Sequence, residues 1–67
     1  MIKFDRLWDI MAKKGISTYY LREKCDIDSK TVRRLKSNDN IETKTLSKLC
    51  AALNCRLEEI AEYFPDE

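Results

Sequence analysis

Residues 16–37 read Ile16-Ser17-Thr18-Tyr19-Tyr20-Leu21-Arg22-Glu23-Lys24-Cys25-Asp26-Ile27-Asp28-Ser29-Lys30-Thr31-Val32-Arg33-Arg34-Leu35-Lys36-Ser37. Ser17 carries a hydroxyl that accepts hydrogen bonds from the free amides of a new helical turn, and Tyr20, Leu21 and Lys24 continue a short helical pattern behind Ile16. The spacing predicts a helix from about Thr18 to Lys24. Cys25, Asp26 and Ile27 leave only three residues before Asp28, a second N-cap residue, which precedes Ser29 through Ser37 with Val32 and Leu35 as an apolar pair. Two short helices separated by so tight a turn, with an apolar residue inside it, have helix-turn-helix spacing over about residues 17–37.

Upstream, Phe4, Leu7, Trp8 and Met11 recur at i, i+3, i+4 and i+7 and share one helical face, with Gly15 as a stop. A helix from about Asp5 to Lys14 follows. Downstream, Asn38, Asp39 and Asn40 form a polar loop. Leu46, Leu49, Cys50 and Leu53 then repeat the same stripe behind a Thr43 or Glu42 cap, so a fourth helix ends near Asn54. Leu57, Ile60, Ala61 and Phe64 predict a fifth, stopped by Pro65, which lacks the amide hydrogen a helix interior needs. No stretch alternates apolar and polar residues over strand length, and there are no repeats or low-complexity segments. The expected fold is all-α, five helices in one compact domain spanning residues 1–67.

A chain of 67 residues buries only about 60% of the surface its unfolded form exposes, so each periodic apolar position is needed inside. Phe4 and Trp8 are read as core, and of the adjacent Tyr19 and Tyr20 at least one must be exposed. No apolar run is long enough for a membrane span. Lys3, Asp5, Arg6 and Asp9 interrupt the place where a signal peptide needs apolar residues, which predicts a cytoplasmic protein. Cys25, Cys50 and Cys55 form no Cys-x-x-Cys pair and there is no histidine, so no metal site is expected. Cys25 and Cys50 fall on apolar positions and read as small buried hydrophobes. With no histidine, no evident carboxylate pair and no Gly-rich phosphate loop, neither an enzyme nor a cofactor or small-molecule ligand is expected.

The net charge of +1 conceals an asymmetry. Residues 1–36 hold ten Lys or Arg against five acids, whereas residues 37–67 hold three against seven. One end is suited to attract phosphate and the other to repel it, although solvated helix faces produce the same pattern. With Val32 and Leu35 turned to the core, a rotation of about 100° per residue sends Ser29, Lys30, Arg33, Arg34 and Ser37 to the outer side of the third helix.

The run Ile16-Ser17-Thr18, Leu21, Ile27, Ser29-Lys30-Thr31-Val32, Leu35, Ile41, Leu46, Leu49, Leu53 and Leu57-Glu58-Glu59-Ile60 resembles the lambda-repressor-like, Cro/CI-type helix-turn-helix regulators, the xenobiotic response element family. The likeness covers almost the whole chain without a gap. Two positions depart from it: Arg22 stands where members usually have Ala, and Asp26 where they have a turn Gly. Asp tolerates left-handed backbone, and Arg22 would have to send its charged head outward along the packing seam.

The resemblance implies a small bacterial or phage transcriptional regulator that binds specific double-stranded DNA with its third helix in the major groove. It carries base contacts onto Ser29, Lys30 and Arg34, and Lys or Arg suits guanine, which offers two acceptors. Arg33 lies nearer the flank as a phosphate contact, while Thr31 is open between a thymine methyl and a cap. Ser17 and Thr18 are phosphate candidates at the start of the second helix. Asn38, Asn40 and Thr43, with Lys36 beside them, make either a second phosphate clamp or ordinary loop and cap chemistry. A DNA-binding monomer this small offers one half-site, so a homodimer is a further expectation, with Tyr63, Phe64 and the fourth helix as contacts. The rival reading is a protein-interaction module on the same scaffold, antitoxin-like or a phage regulator, that meets a protein partner through its acidic half.

Overall fold

The computed structural model describes residues 1–66. Its elements run in order β1 (Ile2–Lys3), α1 (Asp5–Lys14), α2 (Thr18–Lys24), α3 (Ser29–Lys36), α4 (Thr43–Leu53), a single 3-10 turn (Leu57–Glu59) and β2 (Glu62–Tyr63). Four helices and both terminal segments surround one core, in which Leu7, Leu21, Leu35, Leu49, Leu53 and Ile60 are fully buried. Each helix contributes through the stripe legible in its sequence. Phe4 is buried with this group, whereas Trp8 and all three free cysteines are half-buried at its rim. Arg22 is exposed, so no charge enters the seam between α2 and α3.

Left-handed residues end the helices. Gly15 (φ 67°), Asn38 (φ 54°) and Asn54 (φ 51°) follow α1, α3 and α4, and in each case the next residue's amide returns to a carbonyl five positions earlier. That closure satisfies carbonyls the helix leaves unpaired and demands positive φ, which glycine and asparagine adopt at least cost. The Lys14 ammonium adds a bond at 2.6 Å to the Leu53 carbonyl, joining the ends of α1 and α4. Asp26 takes φ 57° in the turn between α2 and α3, the position where glycine had been the family expectation, and the Ile27 amide reaches back 3.1 Å to the Leu21 carbonyl. Ile27 is thereby delivered into the core.

The expectation of five helices and no strand does not hold at the C-terminus. Only one 3-10 turn forms, closed by the Arg56 amide donating to Glu59 Oε2 at 2.7 Å. Of the proposed apolar stripe, Ile60 alone is fully buried, while Leu57 is 50% and Phe64 37% exposed. Beyond Ile60 the chain extends and pairs antiparallel with β1, Ile2 against Tyr63 and Lys3 against Glu62. The physical reason is competition for backbone partners. Pro65 stops a helix within two turns, too short to be stable by itself, whereas the free backbone of residues 1–3 offers hydrogen bonds to an extended strand. The Phe64 amide accordingly donates to the Met1 carbonyl at 2.7 Å, and the amino terminus bonds the Phe64 carbonyl and Asp66.

Candidate nucleic-acid interface

The outer face of α3 is built by its cap and its two buried residues. Asp28 Oδ1 accepts the Thr31 amide at 2.8 Å. The bonds from Thr31, helped by the charges of Lys30 and Arg34, hold the Asp28 carboxyl below its ordinary value. A negative charge there also complements the helix dipole. Val32 and Leu35 are buried, which leaves Ser29, Lys30, Arg33, Arg34, Lys36 and Ser37 exposed on the other side.

Two shallow depressions flank this face. One is lined by Lys30, Arg33, Arg34, Ser37 and Asp39. The other is lined by Thr31, Arg34, Asn40, Ile41, Glu42 and Thr45. Arg34 belongs to both and stands on the ridge between them. Of the side chains expected to meet bases, Lys30 and Arg34 therefore lie together with the Arg33 expected beside them, whereas Ser29 is exposed but lines neither depression, and Asn40 joins Thr31 and Arg34 across the second. Lys36 is exposed but lines neither.

The ion pairs are all elsewhere. They join the amino terminus to Asp66, Arg6 to Glu62, Lys48 to Asp26 and Arg56 to Glu58. Among the described residues, no carboxylate lies within ion-pair distance of Lys30, Arg33, Arg34 or Lys36. Four cations within seven residues thus face solvent outside any ion pair, with only Asp28 and Asp39 nearby to offset them, a local potential suited to a polyanion.

The remaining expected residues are placed variously. Ser17 Oγ accepts the Tyr20 amide at 3.2 Å and caps α2, with its hydroxyl hydrogen still free to donate; Thr18 begins that helix half-buried. Thr43 is exposed in the first turn of α4, where Glu42 holds the cap position and makes no side-chain cap bond. Asn38 is half-buried, and its Oδ1 accepts the Phe4 amide at 2.7 Å, so this oxygen is engaged within the protein. Asp39, Ile41, Glu42 and Thr45 line the depressions without having been anticipated. The signal that finds them is the left-handed Asn38, because the turn it makes folds the following loop back along α3. Tyr19 and Tyr20 are both exposed on α2. No group of three or more potential metal-ligating side chains occurs among the described residues, and none of their helices is long and apolar enough to cross a membrane.

A capped, outward-facing cationic helix held behind a short helix and a tight turn defines a helix-turn-helix DNA-binding domain. Residues 6–66 match the model of the Cro/C1-type helix-turn-helix DNA-binding domain family, and the chain belongs to that family, one of DNA-binding domains rather than enzymes. Among solved structures, the chain is similar to the crystal structure of the transcriptional regulator VanUg (form II). The two superpose with a TM-score of 0.88 at 26% identity over 97% of this chain and 87% of that one. No curated protein gives a significant match.

Proposed function

We propose that this chain is a bacterial or phage transcriptional regulator that recognises specific sequences in double-stranded DNA, with α3 in the major groove. The carrying observation is the set of four cations on and beside the outer face of α3 without an internal carboxylate partner. In this reading Ser29, Lys30 and Arg34 meet base edges, and Arg34, between the two depressions, is the central reader, suited to guanine O6 and N7. Arg33, Lys36, Ser17, Thr18, Thr31, Asn40 and Thr43 meet the backbone and fix register. Asn38 is set apart from these contacts: its oxygen is held by the Phe4 amide, and its part is to close and anchor the end of α3.

The rival reading has a protein partner meet the acidic half. Glu58, Glu59, Glu62 and Asp66 are each engaged within the chain, which leaves that surface less charge to offer a basic partner. A second copy of the chain fits the apolar surface better. Ile2 and Tyr63 are cross-strand neighbours on one face of the terminal ribbon and both are exposed. Dimerisation through this surface is part of the proposal, and sedimentation on a duplex with two half-sites tests it, one bound monomer per duplex removing the dimer alone.

The deciding experiment is selection from random duplexes, followed by anisotropy titrations of enriched and scrambled DNA at several salt concentrations. An enriched motif bound about a thousandfold or more tighter than scrambled DNA is the expected result. Absence of any enrichment, with no binding even at low salt, would reject it.

A further inference from the structure

Asn38 connects the exit of α3 to a distant part of the molecule. Its backbone, at φ 54°, closes the helix: its own amide returns to the Leu35 carbonyl at 3.2 Å, and the Asp39 amide to the Arg34 carbonyl at 2.9 Å. Glycine would perform that closure at less steric cost. Asparagine adds a side chain, and its Oδ1 accepts the Phe4 amide at 2.7 Å across 34 positions of sequence. Phe4 is itself fixed. The residue is 3% exposed, its carbonyl accepts the Leu7 amide that opens α1, and the preceding Lys3 pairs with Glu62 in the terminal ribbon. One side-chain oxygen therefore ties the end of α3 to the point where the ribbon meets α1.

A helix of eight residues is marginal by itself, so the end of α3 depends on the packing of Leu35 and on the bonds made just beyond it. The carbonyl closed by Asp39 belongs to Arg34, the residue standing between the two depressions on the outer face. We propose that Asn38 is a positioning residue for DNA recognition: its bond from Phe4 anchors the last turn of α3 against the terminal ribbon and so presents Arg34 in a single orientation. This rests on the reading of α3 as the helix that meets bases. Phosphate attraction is long-ranged and tolerates a loose helix end, whereas a two-bond contact to a base edge does not. Loss of the anchor should therefore reduce discrimination between sequences and leave general affinity intact.

Two full-length variants separate anchor from turn. Asn38→Gly keeps the left-handed closure and removes the acceptor, while Asn38→Asp keeps both and adds a charge that weakens all duplexes alike. Two quantities are read: hydrogen-exchange protection of the Phe4 amide, and the ratio of Kd values for scrambled and enriched duplexes. In Asn38→Gly the Phe4 protection should fall and the ratio should drop about tenfold, the loss of one well-placed hydrogen bond, with scrambled-DNA affinity within about twofold. Asn38→Asp should restore both protection and ratio. An unchanged ratio in Asn38→Gly despite loss of Phe4 protection would overturn the positioning role and leave the DNA reading standing, as would a lowered ratio that Asn38→Asp fails to restore. A wild-type protein with no preference for any duplex would instead reject the DNA reading, and the positioning role with it.

Discussion

Between Lys30 and Lys36 four cations stand in solvent without an internal partner, whereas from Arg56 to Asp66 every charged residue is engaged. Arg56 pairs with Glu58, its amide is held by Glu59, Glu62 pairs with Arg6, and Asp66 meets the amino terminus. In sequence both stretches are dense in charge, the first with four cations and no acid, the second with four acids and one cation. They differ in whether a partner of opposite sign is brought within reach, and that decides whether a charge holds the protein together or remains available to another molecule. The C-terminal pairs are exposed, so each contributes little, about 0–1 kcal/mol; their effect is to shape the terminal ribbon.

The comparison breaks first on burial. Ile60→Ala should cost about 2–5 kcal/mol in urea unfolding, since Ile60 is the one fully buried residue of the C-terminal segment. Leu57→Ala, at a half-exposed site on the same turn, should stay within about 0.5 kcal/mol. Equal losses would restore the fifth helix with both residues inside. On the other side of the comparison, Arg34→Ala should lose about 1–3 kcal/mol of binding to an enriched duplex and relax the preferred base, while Arg33→Ala should weaken all duplexes alike and lower the salt slope by about one. Identical behaviour of the two arginines in anisotropy titrations would dissolve the division between base and phosphate contacts.

Smaller effects sharpen the contrast. Arg6→Ala removes the bonds to Glu62 and to the Glu58 carbonyl, and should cost at most about 1 kcal/mol in stability while leaving DNA affinity within about twofold. A large loss of DNA affinity would show that the engaged cations serve DNA as well. The smallest expected change is in Asp28→Asn, because Asn caps a helix about as well as Asp. Its signature is in pH. The folded carboxyl of Asp28 lies below its ordinary 3.8, so its stabilising contribution is complete above that pH and fades as pH falls through the lowered folded value. Melting curves should therefore find the variant close to wild type at neutral pH and gaining on it below about pH 3.8. A constant difference across the range would remove the charge-dependent part of the cap.

Much of the candidate interface was legible in local sequence. Asp28 three residues before Thr31, with Val32 and Leu35 facing inward, is enough to orient Lys30, Arg33 and Arg34 outward, because helical periodicity needs no distant partner. Asn38 was legible as a polar loop residue, yet the place its side chain goes was not. Its oxygen meets Phe4, and no local rule pairs positions so far apart. Leu57 and Phe64 misled for the opposite reason: their spacing satisfies the helical stripe, but the stripe does not reveal that residues 1–3 compete for the same backbone.

By itself the sequence determined the four helices, the Ser17 and Asp28 caps, the stop at Gly15, and the family, since each depends on residue types at short spacing. The tertiary structure alone decided that the last apolar stripe ends in one 3-10 turn and a strand, that the C-terminal acids are engaged while the α3 cations are not, and that Asn38 is anchored to Phe4. Those outcomes depend on which distant groups become neighbours. A free backbone edge, an opposite charge or an unpaired amide is supplied only once the chain has closed on itself.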